Sequence, residues 1–205
     1  LTWHGLRQQT EKQAGKPSRC LADFVAPHLD AQGKPTQLKD YVGVFAVTAG
    51  IGVEKREQAF EATHDDYSAI MLKALADRFA EAFAECMHER VRKDLWGYAA
   101  QEKVGLEELI AEKYQGIRPA PGYPACPDHS VKKQMFELLQ CNEIGMSLTS
   151  SLAMTPAASV SGFYLSHPDS QYFNVGKVGE DQVQDLAKRQ NLKVADIQRL
   201  LAPNL

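Results

Sequence analysis

Arg118-Pro-Ala-Pro-Gly-Tyr-Pro-Ala-Cys-Pro-Asp-His129 is the stretch on which the reading of this chain turns, because it can form neither a helix nor a regular strand. Its prolines at 119, 121, 124 and 127 each fix φ at about −65° and remove one N–H donor. The residues before them are pushed toward extended backbone, and Gly122 admits a positive φ just ahead of Tyr123. The outcome is a stiff ribbon whose remaining N–H and C=O groups cannot all pair with one another. Such a ribbon can offer its backbone to the edge of a heterocycle with little ordering cost. Arg118 adds a planar fork suited to a carboxylate or phosphate, and Tyr123 adds a flat aromatic face. Composition alone still favours a proline-rich surface connector.

The segments on either side set the fold class. Upstream, Tyr41 to Thr48 is rich in β-branched and aromatic residues and hardly alternates, which predicts a strand buried on both faces. From Glu54 to Leu95 the spacing is helical, with Ile70, Met71, Ala74, Leu75, Phe79, Ala82, Phe83 and Cys86 forming one apolar face. That face is expected to be the buried one. His64-Asp65-Asp66 favours a cap or turn, so the major helix is expected from Asp66 to Lys93. Leu106 to Tyr114 reads as a short helix stopped by Gly116, and Ser130 to Cys141 as an amphipathic helix capped by Ser130. Downstream, Val160 to Leu165 and Tyr172 to Val178 read as strands, and Asp181 to Gln190 and Val194 to Leu201 as closing helices. Helices and strands do not alternate regularly, which makes the class α+β.

Composition narrows the function. Among 205 residues the formal net charge is −3, which gives no basic footprint for nucleic acid, and no apolar run is long enough for a membrane span. The closing helices superficially resemble a helix-turn-helix, but a packing pair suits the acidic chain better than a DNA reader. Cys20, Cys86, Cys126 and Cys141 are irregularly spaced with no paired motif, so no disulfide framework is expected. Cys86 is expected to be a buried thiol, and the plain reading is cytoplasmic. Cys126 with His129 supplies two ligand types where a zinc site wants three or four, so no metal site is expected. The glycine fingerprints of Rossmann and P-loop folds are absent, as are the short motifs of metalloproteases and serine hydrolases. Lys73, Asp77 and Glu81 fall at i, i+4 and i+8, a stripe that is either a solvated face or an anionic patch for an ammonium group or a partner domain. The opening Leu1-Thr2-Trp3-His4 lacks an initiator Met and reads as a cut into a longer chain.

The strip from Arg118 to His129 resembles the signature of the C-terminal activation domain of cobalamin-dependent methionine synthases. Further blocks agree with that family in order: Leu6 to Lys12, Cys20 to Pro27, His64 to Tyr67, Lys73 to Arg78, Ser159 to Gly162, Ser166 to Ser170 and Leu201 to Asn204. The resemblance implies a helmet-like α+β domain, with a bent antiparallel sheet and flanking helices, spanning 1–205. An upstream portion of the domain, including an acidic ligand contact, would precede Leu1. It implies a module that binds S-adenosylmethionine (AdoMet) and presents it for reductive methylation of cob(II)alamin to methylcobalamin. The full enzyme, a methyltransferase, moves a methyl group from 5-methyltetrahydrofolate to homocysteine.

The same resemblance places cobalamin in a neighbouring domain of the same polypeptide, zinc only in the substrate modules of the full-length enzyme, and a flavodoxin-type reductase as electron donor. By resemblance, Arg118 binds the AdoMet carboxylate, while Ala120, Tyr123, Tyr172 and Phe173 line its site. Asp77 and Glu81 are helix carboxylates near the ligand and the face toward the cobalamin domain, and Glu112 and His129 are polar positions around the groove. No catalytic nucleophile or general base is expected, since a sulfonium has a neutral leaving group and the domain's task is placement. The contrasting reading is a docking module that holds no ligand.

Overall fold

A computed structural model describes every residue from Leu1 to Leu205. The chain divides into two compact units. The first contains 44–101 and 132–162 together with Leu1, and the second 2–43, 102–131 and 163–205.

In the first unit, β1 (Gly43–Thr48) leads through a glycine turn into α1 (Val53–Glu61) and α2 (Asp66–Arg90). The two helices are separated where the sequence predicts. His64 takes a left-handed backbone, and the Asp65 carboxylate accepts the Ser68 N–H at 3.1 Å as the N-cap of α2. Beyond Arg90 the helix widens into a π-turn over Val91–Leu95, so the α-helix ends slightly earlier than expected.

The expected burial of α2 is corrected. The inward line is Ala69, Ala76, Ala80, Ala84 and His88, while Ile70, Met71, Ala74, Leu75, Phe79, Ala82, Phe83 and Cys86 are exposed. Ala76 and Ala80 pack with Ala158, Ala49, Val53 and Val160. The methyl-sized side chains let α2 lie close to the backbone of its neighbours, which larger residues would prevent. The strand reading of β1 is also corrected. It begins at Gly43, Tyr41 is exposed, and only Phe45 and Val47 are fully buried.

Strand β1 pairs antiparallel with β4 (Ser159–Tyr164), with the Ala49 N–H donating to Ala158 O at 3.0 Å. Between them come α4 (Lys132–Leu138) and the short antiparallel pair β2 (Ser147–Leu148) and β3 (Met154–Thr155). A small core of Phe136, Cys141 and Met146 lies beneath this part. Helix α4 is shorter than the expected Ser130 to Cys141.

The second unit is built on α5 (Glu180–Gln190) and α6 (Val194–Leu200), with α3 (Leu106–Ile110) apart from them. Acidic Glu180 and Asp181 open α5 and basic Lys188 and Arg189 close it, as the helix dipole favours, and Asn191 in a left-handed conformation ends it. Val183, Leu186, Ile197 and Leu201 are buried with Leu6, Val175 and Val178 in one core. These two helices are therefore a packing pair whose apolar faces are spent on each other.

The expected strand from Tyr172 to Val178 does not form. Val175 donates its N–H to Pro124 O and accepts from the Gln9 N–H, 2.9 and 2.8 Å. Its neighbours are irregular, and Pro124 has no N–H to continue a ladder. The resulting class is α+β with small antiparallel sheets, as expected. No helix is long and apolar enough to cross a membrane.

Candidate functional site

The strip is held at its start by backbone bonds. Ile117 exchanges hydrogen bonds with Leu165, 2.9 and 3.0 Å, and Pro119 O accepts the Phe163 N–H at 2.9 Å. Within the strip the chain doubles back. Gly122 donates to Cys126 O at 2.7 Å, Cys126 to Tyr123 O at 2.8 Å, and Tyr123 to Ala120 O at 3.3 Å. This turn requires glycine at 122 twice over. Its φ is +97°, and a Cβ there would stand 2.0 Å from Cε1 of His129. The imidazole of His129 thus lies directly against the turn, where a side chain would otherwise project.

Arg118 is half-buried and tied from two directions. Its backbone N–H donates to the Tyr172 hydroxyl at 3.1 Å, and its Nη1 donates to the Tyr114 hydroxyl at 2.8 Å. The guanidinium, a planar group of N–H donors, is thereby held in a fixed orientation. Tyr172 retains 41% exposure, but its hydroxyl end is sequestered. Burial pushes that phenol up to about 12, the Arg118 N–H opposes the rise, and the negative charge of Glu112 adds to it. Glu112 follows α3 on a left-handed residue and is exposed. Tyr123 is 62% exposed, so its ring is available to a flat or cationic ligand group.

Ala120 is partly exposed, and its N–H has no internal acceptor. It is the accessible backbone donor that the proline spacing anticipates. Phe173 behaves differently from Tyr172, since it packs against the core around Val175 and Leu186.

The far end of the strip is fixed by Asp128, which is buried. Its oxygens accept from Ser130 N–H at 2.7 Å, Ser130 Oγ at 2.8 Å and Gln190 Nε2 at 2.7 Å. Ser130 was expected to cap a helix, but it is a donor to Asp128, and the helix starts two residues later. Cys126 is buried, and burial pushes its thiol up to about 12, which keeps it protonated and neutral. Tyr114 and Gln190 were not among the residues picked from sequence. Tyr114 stands four residues before Arg118, but that spacing has no meaning outside a helix. Gln190 lies 62 residues from Asp128.

Asp77 and Glu81 belong to the other unit. They line a cleft of about 420 Å³ on α2, with Ala74, Arg78, Ala157, Ser159 and Val160 among its walls. Lys73, which the stripe pattern joins to Asp77, instead pairs with Glu57 of α1 at 2.5 Å. Arg118, Ala120, Tyr123, Tyr172, Glu112 and His129 are thus carried by one unit, and Asp77 and Glu81 by the other. Cys86, expected inside, is exposed, and the other three cysteines are buried.

A solved structure of the MetH reactivation domain bound to AdoHcy is 58% identical and superposes with a TM-score of 0.90, over 98% of this chain. The match spans 60% of that relative's chain. The sequence model of the family described as vitamin B12 dependent methionine synthase, activation domain, matches residues 1–191. With the strip, its arginine and its flanking tyrosines in place, the chain belongs to the activation-domain family of vitamin B12 dependent methionine synthases.

Proposed function

We propose that this chain binds AdoMet along the strip from Arg118 to His129 and presents it to a cobalamin carried by a neighbouring domain of the same polypeptide. The observation that carries the reading is the arrangement of Arg118. One fixed guanidinium stands beside two tyrosines and a free Ala120 N–H on a backbone that cannot relax. That donor set fits a ligand with a carboxylate, a sulfonium and a heterocycle. The 58% identical relative with AdoHcy bound supports it.

In this reading Arg118 pairs with the amino-acid carboxylate, and the Ala120 N–H meets the edge of the adenine. Tyr123 and Tyr172 cover flat and cationic parts of the ligand, with Phe173 supporting Tyr172 from the core. Glu112 and His129 complete the polar rim. Asp77 and Glu81, on the other unit, are the carboxylates of the face toward the cobalamin domain. AdoMet supplies a methyl group on a neutral thioether leaving group, so the protein need only align donor and acceptor.

The activity served is reductive methylation of cob(II)alamin to methylcobalamin. A flavodoxin-type reductase is the electron source. The full enzyme is a cytoplasmic methyltransferase acting on 5-methyltetrahydrofolate and homocysteine, with zinc confined to its substrate modules. Residues 1–205 form one part of the AdoMet-binding domain, completed by further chain.

Calorimetric titration of the full polypeptide with AdoMet tests the binding reading. Saturable heat is expected, together with a higher unfolding temperature in the presence of ligand. A folded protein that shows neither at millimolar AdoMet would remove it.

A further inference from the structure

The backbone around Arg118 is fixed without any help from its side chain. Ile117 exchanges two hydrogen bonds with Leu165, Pro119 O accepts the Phe163 N–H, and the N–H of Arg118 itself reaches the Tyr172 hydroxyl. None of these bonds sets the direction of the guanidinium, which sits on a long stem with several rotatable bonds. The bond from its Nη1 to the Tyr114 hydroxyl, 2.8 Å, acts on the side chain instead.

Tyr114 is itself firmly placed. The chain bends over Tyr114 to Gly116, and Gly116 supplies a left-handed residue, φ +88°, that a side chain would resist. This bend, outside any helix, sets residue 114 beside residue 118. On one side of Tyr114 the Lys113 N–H donates to Glu108 O at 2.9 Å. On the other, Gln115 Nε2 donates to Ser166 O at 2.8 Å. The Tyr172 phenol feels the charges of Arg118, Glu112 and Tyr114 together, so these groups share one small region. The segment that carries Tyr114 is thus tied down by its neighbours, and its hydroxyl is a fixed acceptor for a mobile donor.

We propose that Tyr114 is a positioning residue for the ligand carboxylate, holding Arg118 in the receiving rotamer before the ligand arrives. This rests on the AdoMet reading above and extends it to a residue that acts through Arg118. A guanidinium held in advance loses less rotamer freedom on binding, so the phenol's contribution appears as affinity for a carboxylate. A tyrosine that only supported the fold would affect every ligand alike.

The test is a calorimetric cycle on the full polypeptide, with native protein, Tyr114→Phe, Arg118→Ala and the double variant each titrated with AdoMet. Tyr114→Phe is expected to lower affinity about three- to tenfold where Arg118 is present. In the Arg118→Ala background its effect should be less than about twofold, because the two residues act as one unit. Native affinity in Tyr114→Phe, or the same loss in both backgrounds, would overturn the inference.

Decarboxylated AdoMet keeps the sulfonium and the nucleoside, and is expected to bind Tyr114→Phe and native protein equally well. An equal loss for both ligands would make Tyr114 a general support of the fold and would also overturn the proposal. Should the Phe variant fail to fold, p-aminophenylalanine at position 114 fills the hydroxyl's place with a poor acceptor. It should reproduce the loss, and native affinity there would count against the phenol. A native protein that does not bind AdoMet would remove the AdoMet reading and this inference with it, whereas binding with an additive cycle would remove Tyr114 alone.

Discussion

The backbone N–H of Arg118 donates to the Tyr172 hydroxyl at 3.1 Å, across 54 residues of sequence. This one bond connects the start of the proline strip to the segment that leads into the α5–α6 core. It also makes the orientation of Arg118 depend on a phenol that is kept out of water.

Tyr172 should therefore titrate late. The unfolded chain loses its phenol proton near the ordinary value of 10, whereas the folded protein holds it to about 12. Between those values the folded state binds more protons, so stability falls as pH rises through this window. Phenolate absorbance should show a tyrosine ionising after the others, and Tyr172→Phe should abolish that late step. The same substitution should cost about 0.5–1.5 kcal/mol in stability by removing the acceptor of the Arg118 N–H.

Arg118→Ala should weaken AdoMet binding by more than about tenfold, because a charge-assisted pair contributes about 1.5–3 kcal/mol. Arg118→Lys should recover only part of it, since an ammonium lacks the planar fork. Titration calorimetry on both variants measures the difference. Equal affinity in Arg118→Ala and the native protein would remove the carboxylate assignment.

Gly122→Ala should be among the most damaging small substitutions in the strip. The added methyl meets the His129 ring at 2.0 Å, and the φ of +97° strains any L side chain. A loss of more than about 2 kcal/mol is expected in chemical denaturation. Adding His129→Ala should relieve the contact but not the backbone strain, so rescue should be partial. Full rescue would show that only the ring matters.

On α2, Ala84→Leu should destabilise by about 1–3 kcal/mol through overpacking, because Ala84 is fully buried. Urea midpoints would measure it. A neutral result would show that the alanine line is not a packed face.

That last contrast marks where the sequence was readable and where it was not. The α5–α6 pair was legible to within a residue, as helices at Asp181 to Gln190 and Val194 to Leu201. The division between α1 and α2 was legible from His64 and Asp65. The buried side of α2 was not, since periodicity identifies a stripe but not the side from which the neighbours approach. Close approach selected Ala76, Ala80 and Ala84 over Phe79 and Phe83. The 172–178 segment has strand composition but lacks a partner that can return its hydrogen bonds. The strip's stiffness followed directly from its prolines, whereas the anchors Tyr114 and Gln190 came from tertiary proximity that no local pattern encodes.

The bonding of the strip also decides how it can be watched in solution. Pro119, Pro121, Pro124 and Pro127 have no amide proton, and the amides of Arg118, Gly122, Tyr123 and Cys126 are engaged internally. Of the two alanine amides that remain unbonded, Ala125 is buried and Ala120 is partly exposed. In deuterium-exchange experiments most of the proposed groove will consequently be silent or already slow. Between Arg118 and Cys126, occupancy should register chiefly at one fast-exchanging proton, that of Ala120.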